Sequence, residues 1–396
     1  MSVPPISPPS GRGAVSVREA ELPAHAERLL VAPRVELHEL ALAFEESTAT
    51  AAEVLVGGTA FFPRMLADVR AAASSVHIVQ FGFRPGSVGD RFAEALLEKA
   101  REGVAARLVV DRNGSDPERG SRPFYDRLVA GGVQVCMASG TQARGPFGPL
   151  GADGRPIHWN LRALGHIDHR KAFVVDGRIG WVGGAGIEDH FEDGRFHDLF
   201  VRVEGPVVSQ LQLVVLASLR RLGGAVPVEE VPALFPAHDP APEAVPAIVL
   251  HNAPGRFRPI TEAIAASLES ARETLDVVNP YVTDRGMIRR IEAAARRGAR
   301  VRLFVPATPN NWACGLAERF HHAGLLRAGV QIHEYPAMLH AKAFVRDGEE
   351  VLAGTCNLAA WSLKRFFELD VRVRSRALAE QFEERFAAPA VEVSAP

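Results

Sequence analysis

The stretch His169–Asp176, with the sequence HRKAFVVD, has a second copy in the chain, His340–Asp347, with the sequence HAKAFVRD. Both copies contain His, one residue, Lys, four residues and Asp. Each is followed by a small-residue turn, Gly183–Gly186 or Gly354–Asn357. A single copy is compatible with chance. Two copies in matching local context predict a duplicated half-site, with one active site where the two halves of the chain meet.

The elements before each motif also repeat. In each half we predict strand, helix, strand, helix and strand, with glycine ending each helix. The first half has Val76–Phe81, Asp90–Glu102, Arg107–Val110, Phe124–Ala130 and Val133–Met137; the second has Thr274–Asn279, Asp284–Arg297, Arg300–Val305, Gly315–Ala328 and Val330–Glu334. Strands that alternate with helices predict an α/β fold with a mainly parallel sheet covered on both faces.

The composition divides the 396-residue chain into five segments. We predict a flexible or peripheral leader at 1–52, a first half at 53–222, a proline-rich linker at 223–247, a second half at 248–388 and a tail at 389–396. A Gly- and Pro-rich insertion at about Ser139–Ile167 has no counterpart before the second motif. Such an insertion is typical of a lid, and equally of a surface loop without function.

Charge and composition limit the partners and the location. The formal net charge of −2 predicts no general basic surface, so we expect no nucleic-acid partner. The three cysteines, Cys136, Cys314 and Cys356, indicate reduced thiols rather than a disulfide framework. The N-terminus lacks the apolar segment of a signal peptide. The longest apolar segment, Val207–Leu219, is interrupted by polar residues and predicts a buried helix. We therefore predict a cytoplasmic protein, either soluble or peripheral at the inner face of the cell membrane.

The repeated motif carries groups that suit phosphodiester chemistry. Residues i and i+2 of a strand face the same side, so His169 points with Lys171 and His340 with Lys342. One neutral imidazole attacks phosphorus, and the other, protonated, serves the leaving alkoxide and then the acceptor. The lysines hold the non-bridging oxygens, so we expect neither a metal nor a cofactor.

Each imidazole needs a partner that sets its tautomer, and carboxylates are the usual choice. Asp198 and Glu368 lie at similar places downstream of their motifs, each just before a predicted strand. We predict that these two residues orient the histidines. The alternative is that they are ordinary salt-bridge carboxylates.

These motifs resemble those of the phospholipase D superfamily, and within it the chain is most similar to bacterial cardiolipin synthases. The resemblance covers about residues 53–386. It is carried by Asp168–Lys171 with Asp176–Ile179, by Leu339–Lys342 with Gly354–Leu358, and by Val76–Gly89, Leu108–Ser115, Asn279–Tyr281 and Ala294–Pro306.

The resemblance implies two pseudo-symmetric phospholipase D-type α/β sandwich halves that share one active site at their interface. It also implies a phosphohistidine intermediate, with His169 as the nucleophile and His340 as the acid and base. Asp176 and Asp347, included among the catalytic residues, are implied to support the architecture more than to react. Asn357 is implied to contact the phosphate or the residues around it.

The chain departs from the family at Gly186, where the family usually carries Asn. We also expect it to have none of the transmembrane anchors of many cardiolipin synthases. We predict a cardiolipin synthase-type phosphatidyltransferase acting on a phospholipid such as phosphatidylglycerol at a membrane surface. The alternatives are a phospholipase D hydrolase that releases phosphatidic acid, a phosphodiesterase or endonuclease acting on nucleic acid, and an inactive membrane- or protein-binding relative.

Overall fold

The computed structural model describes residues 15–32, 35, 37–116, 120–138, 167–239 and 241–394. The strands are β1 (Val15–Val17), β2 (Leu42–Phe44), β3 (Ser47–Ala49), β4 (Ala51–Val56), β5 (Ser75–Gln80), β6 (Ala105–Asp111), β7 (Gln134–Ala138), β8 (Lys171–Val175), β9 (Ile179–Gly183), β10 (Phe196–His197), β11 (Leu199–Glu204), β12 (Val245–Asn252), β13 (Thr274–Val278), β14 (Arg300–Pro306), β15 (Gln331–Tyr335), β16 (Met338–Leu339), β17 (Ala343–Arg346), β18 (Glu350–Gly354) and β19 (Glu368–Arg374).

The α-helices pack on these strands. They are α1 (Leu22–Val31), α2 (Gly58–Ala71), α3 (Ser87–Arg101), α4 (Arg112–Ser115), α5 (Arg122–Ala130), α6 (Val207–Arg221), α7 (Val231–Leu234), α8 (Pro259–Ser270), α9 (Arg285–Arg296), α10 (Trp312–Arg327), α11 (Ala360–Arg365), α12 (Arg376–Phe382) and α13 (Ala388–Val393). None of the helices in the described ranges is long and apolar enough to cross a bilayer.

The two halves form two sheets with the same strand order. The first sheet runs β7-β6-β5-β8-β9-β11-β4, and the second runs β15-β14-β13-β17-β18-β19-β12, with β3 added at its edge. The motif strands β8 and β17 hold the same central place in their sheets. The predicted pair of pseudo-symmetric α/β halves is therefore confirmed.

The expectation of mainly parallel sheets is wrong. Within these two sheets, only β5 with β6 and β6 with β7, and β13 with β14 and β14 with β15, pair in parallel. From the motif strands onward the pairing is antiparallel, as in β8 with β9 and β17 with β18. The reason is a tight Asp-Gly turn after each motif strand, which reverses the chain without a helical crossover.

The described part of the expected leader is built into the fold. Strand β3 pairs with β12 at the edge of the second sheet, and Leu22 and Leu42 are buried in the core. The expectation of a flexible or peripheral segment therefore does not hold for residues 15–32, 35 and 37–52, which the structure describes. The insertion between Ser139 and Ile167, with its predicted lid role, lies outside the described residues except for Ile167 itself.

Helix α6 joins the two halves, and its sequence explains why it can be buried. Every residue from Val207 to Leu219 is buried. The polar Gln210 is accommodated because its amide donates to the Glu45 carbonyl at 2.8 Å and accepts from the Val249 amide at 2.9 Å. Leaving such a group unpaired would cost about 1–3 kcal/mol. One side chain thus links the N-terminal segment, α6 and the second half.

Candidate active site

The two motif histidines lie at the seam between the halves. His169 immediately precedes Arg170 and β8, and its amide donates to the carbonyl of Phe367 at 2.9 Å. The His340 amide donates to the carbonyl of His197 at 2.7 Å. In each case, the carbonyl belongs to the residue just before the carboxylate predicted to orient a histidine. These two backbone hydrogen bonds at the seam are therefore equivalent under the pseudo-twofold relation between the halves.

The carboxylates pair with the histidines of the opposite halves. His169 Nδ1 lies 3.0 Å from Glu368 Oε2, and His340 Nδ1 lies 2.7 Å from Asp198 Oδ2. The structure thus places each predicted orienting carboxylate against an imidazole, but the pairing is crossed, because each carboxylate contacts the histidine of the other half. With Nδ1 engaged in this way, Nε2 of His169 is the nitrogen left to react, and Nε2 of His340 lies 3.1 Å from Lys342 Nζ.

The two carboxylates are held by different contacts. Glu368 is fully buried and accepts from the Thr355 hydroxyl at 2.5 Å and from the Ser362 hydroxyl. Asp198 accepts from its neighbour's amide and lies against Gly184, where an added Cβ would stand 2.5 Å from Asp198 Oδ1. Sequence reasoning missed Ser362, and no local pattern marks it.

Aromatic rings flank both imidazoles. The rings next to His169 are Phe81, from the same half, and Phe366, from the opposite half. Both rings next to His340, Phe191 and Phe196, come from the opposite half. The packing restricts ring rotation and shields the imidazoles from water.

The two lysines are buried beside the histidines. Lys171 Nζ donates to the His169 carbonyl at 2.7 Å, and Lys342 Nζ lies 2.9 Å from Nδ1 of His340. Burial lowers the pKa of Lys171 to about 8, against the opposing effect of Glu368 and Asp198. Burial also lowers the pKa of Lys342 to about 7, and the ammonium of Lys171 adds to that effect. The cations of both halves therefore act on one another in a single site.

Electrostatics keep the imidazoles neutral in the free protein. Burial lowers the pKa of His169, although Glu368 opposes the shift. Burial and then the ammoniums of Lys342 and Lys171 lower the pKa of His340 well below its ordinary range. An anion placed between the lysines would offset their charge. The arrangement therefore suits one neutral nucleophile and one imidazole that gains its proton when an anionic substrate is bound.

Asp176 and Asp347, predicted as catalytic residues, are not brought to the histidines. Asp176 follows the far end of β8, about 16 Å along the strand from Lys171 at ~3.3 Å per residue. It accepts from the amides of Ala73, Ser74 and Ser75 at 2.8–2.9 Å. Asp347 accepts from the amides of residues 272–274 in the same way. Both have φ of 52° and open the Asp-Gly turns, so their role is to hold the strands together.

The turns after the motifs differ in what they offer a ligand. Asn357 is buried in the second-half turn, where its backbone N–H donates to the Ser362 hydroxyl at 2.8 Å. Its side-chain oxygen has no hydrogen-bond partner within the described parts of the chain. Gly186 offers no side chain in the first-half turn. Across the described ranges, no group of three or more His, Cys, Asp or Glu side chains is placed to hold a metal ion.

The comparisons with known proteins match both halves of the chain. The family model described as cardiolipin synthase, PLD-like domain, matches residues 65–212 and 264–389. The cardiolipin synthase of Geobacillus kaustophilus (strain HTA426) is 28% identical over 370 residues, which cover 90% of this chain and 68% of that protein. The major cardiolipin synthase of Bacillus subtilis (strain 168) is 25% identical, covering 84% of this chain and 67% of its own length. The chain thus spans about two thirds of the length of these relatives.

Solved structures agree on the fold. The phosphatidylserine synthase of Haemophilus influenzae Rd KW20 superposes with a TM-score of 0.65 at 12% identity, covering 89% of this chain and 88% of that one. The polyphosphate kinase of Porphyromonas gingivalis gives a TM-score of 0.53 at 14% identity, covering 84% of this chain and 49% of that one. At these identities the likeness shows the fold alone.

Proposed function

The chain belongs to the phospholipase D-like domain family of the cardiolipin synthases, and from this membership we propose a phosphatidyltransferase that works through a phosphohistidine. Phosphatidylglycerol is the proposed donor, and a hydroxyl of a second phosphatidylglycerol is the proposed acceptor. The crossed pair of carboxylate-bound imidazoles, flanked by two buried lysines, is the observation that carries this proposal.

In the first step, Nε2 of His169 attacks phosphorus, and the bond from phosphorus to the glycerol headgroup oxygen breaks. His340 gives its proton to that oxygen, so glycerol leaves and a phosphatidyl-histidine remains. Glu368 stabilises the positive charge that forms on the His169 ring. Lys171 and Lys342 hold the non-bridging oxygens as charge shifts onto them.

In the second step, the reaction runs in reverse with a new alcohol. His340 takes the proton of the acceptor hydroxyl, whose oxygen attacks phosphorus and displaces His169. A second phosphatidylglycerol as acceptor gives cardiolipin, whereas water gives phosphatidic acid. The transferase and the hydrolase share the intermediate, so only the acceptor separates the main proposal from its first alternative.

The test is a product assay with two substrates, phosphatidylglycerol vesicles and plasmid DNA. Vesicles of labelled phosphatidylglycerol should yield cardiolipin and glycerol; phosphatidic acid alone would indicate hydrolysis. A nicked plasmid would indicate a nuclease, and no reaction with either substrate would indicate an inactive relative.

His169→Ala should form no acid-labile phosphoenzyme, whereas His340→Ala should still form it from a donor with a good leaving group. An intact intermediate in the first variant would overturn the nucleophile assignment.

We also propose that the protein acts while bound to the membrane surface. Trp312, Leu316 and Phe320 lie four residues apart on α10 and are 75%, 61% and 79% exposed. This spacing places them on one face of the helix. Trp361 on α11 is 52% exposed. Aromatic side chains of this kind favour the headgroup level of a bilayer.

Contacts connect this apolar face to the active site. The Tyr281 hydroxyl donates to the Asn310 side chain just before α10, and the Thr283 amide donates to the Leu358 carbonyl at 2.9 Å. Leu358 follows Asn357, so the loop 281–283 lies between the apolar face and the second-half turn. Contact of this face with a bilayer would bring phospholipid headgroups close to the site. The three free thiols support the cytoplasmic side as the location.

A further inference from the structure

The two halves differ at one position beside the reacting groups. Gly186 and Asn357 hold the same place in their motifs, since each lies seventeen residues after its histidine. The turns that contain them are held alike, because Gln80 donates to the Ala185 carbonyl at 2.9 Å and Asn279 donates to the Cys356 carbonyl at 3.2 Å. The backbone is therefore conserved between the halves while the amide side chain is present in only one.

The carboxylate of Glu188 fills the space that a side chain at position 186 would take. A Cβ added at Gly186 would stand 2.4 Å from Glu188 Oε1, and a Cβ added at Gly82 would stand 2.1 Å from the same atom. The second half has Tyr281 at the place that corresponds to Gly82, two residues after the turn-holding amide. The two glycines thus form a slot that only the first half possesses, and a carboxylate occupies it.

The neighbours of Glu188 fix the carboxylate and define its charge. Its Oε2 lies 3.2 Å from Arg84 Nε and 3.8 Å from His190 Nδ1, and the side chain is only 11% exposed. Burial raises the pKa of Glu188, whereas the charges of Arg84 and Lys171 oppose that rise. Gln80 stands opposite Lys171 in the pairing of β5 with β8, and its side chain donates to the carbonyls of Gly82 and Ala185 at 3.2 and 2.9 Å, so the slot adjoins the strand end that carries the lysine.

A carboxylate and an amide recognise different groups. The amide of Asn can donate to a phosphoryl oxygen, whereas an ionised carboxylate only accepts and repels a phosphate. In the first half the hydrogen-bonding group beside Lys171 is thus suited to an O–H donor. Phosphate contacts then rest on the lysines and on the side-chain NH₂ group of Asn357, which can donate to a phosphoryl oxygen.

We propose that Glu188, in the slot formed by Gly82 and Gly186, is a hydroxyl-binding subsite that selects a polyol as the departing headgroup and as the acceptor. The inference rests on the proposed phosphatidyl transfer and deepens it. A vicinal hydroxyl of a glycerol headgroup donates to the carboxylate while the neighbouring oxygen is at phosphorus. A simple alcohol or water lacks the second hydroxyl and gains nothing from Glu188.

The test is a competition at the shared intermediate. The full chain is given unlabelled phosphatidylglycerol vesicles with glycerol and ethanol at equal concentration, each alcohol carrying a distinct isotope label, and the labelled phosphatidylglycerol and phosphatidylethanol are counted. Because all products arise from one phosphoenzyme, their ratio does not depend on how much protein is folded. Glu188→Ala should lower the glycerol-to-ethanol product ratio by at least about tenfold, the effect of losing one hydrogen bond to a charged group.

Further variants sharpen the result. Glu188→Gln keeps the size and an accepting oxygen, so its ratio should fall by less than that of Glu188→Ala. Glu192→Gln, a neutralisation on the same loop whose carboxylate pairs with Arg91, should leave the ratio unchanged. An unchanged ratio in Glu188→Ala would overturn the subsite. Failure of the wild-type protein to transfer phosphatidyl at all would instead overturn the proposed function on which the subsite rests.

Discussion

Replacing Glu368 with Gln is expected to disable the histidine of the opposite half. Glu368 accepts from Nδ1 of His169 at 3.0 Å and leaves Nε2 free to attack phosphorus. A Gln amide in the same place presents its NH₂ group to Nδ1 and so favours the tautomer with its proton on Nε2. In that tautomer Nε2 carries the proton and cannot attack phosphorus. Thr355 donates to Oε2 and Ser362 to Oε1 of Glu368, so one hydroxyl can still donate to the Gln oxygen while the other can accept from the Gln NH₂ group, and the fold should persist.

The size of the effect follows from two losses. A hydrogen bond to a charged group contributes about 1.5–3 kcal/mol, and no water can replace it because Glu368 is fully buried. The unfavourable tautomer adds a penalty of similar size. Together they raise the barrier by about 3–5 kcal/mol, and at ~1.4 kcal/mol per tenfold this slows attack by about 10²- to 10⁴-fold. The corresponding change in a serine protease triad costs about 10⁴-fold.

The assay is single-turnover formation of the phosphoenzyme, stopped at intervals and measured as protein-bound label from the diacylglycerol side of phosphatidylglycerol. Asp198→Asn is the matched control, since it makes the same change at His340. It should still form phosphoenzyme from a donor with a good leaving group but should fail to turn over. The reasoning is refuted if Glu368→Gln forms phosphoenzyme at the wild-type rate, or if the two variants exchange these behaviours.

Three further predictions follow from the structure. Asp176→Ala should lower the free energy of unfolding in urea by about 2–4 kcal/mol because the amides of Ala73, Ser74 and Ser75 lose a charged acceptor. Asp176→Asn should lose less because Asn tolerates a φ of 52°. Since those amides hold the pKa of Asp176 below its ordinary value against the effect of burial, this stabilisation is complete above the unfolded pKa and is lost as the pH falls through the lower folded value. As the pH rises, kcat/KM should fall because Lys342 and Lys171, with pKa about 7 and about 8, lose their protons. As the pH falls, kcat/KM should fall because His169 gains a proton. A flat pH profile, with the chemical step rate-limiting, would contradict this prediction. The double variant Trp312→Ala with Phe320→Ala should bind anionic vesicles about 10²-fold less tightly, since burying each ring contributes roughly 1.5–3 kcal/mol. Its activity on a short-chain soluble substrate should be unchanged, and Val129→Ala, which removes an exposed apolar side chain from α5, serves as the control.

The amino-acid sequence alone was enough to predict the two halves and to propose the groups that carry the chemistry. His, Lys and Asp at fixed spacing are local features, and the alternation of a strand sets which side chains share a face whatever the rest of the chain does. The strand direction was predicted wrongly, although the Asp176-Gly177 and Asp347-Gly348 pairs are themselves local hairpin signals. Those turns also explain why each Asp is drawn away from the site to bind the amides of a neighbouring strand.

Only the tertiary structure decided which carboxylate serves which histidine. Glu368 lies 199 positions from His169, and Asp198 lies 142 positions from His340. No periodicity relates such distant residues, and each carboxylate lies nearer in sequence to the histidine of its own half. The crossed pairing arises because β10 and β16, and likewise residues 168 and 367, join the halves side by side at the seam. The Glu188 slot has the same origin, since Gly82, Gly186 and Glu188 form one pocket only when the sheet brings the ends of β5 and β9 together.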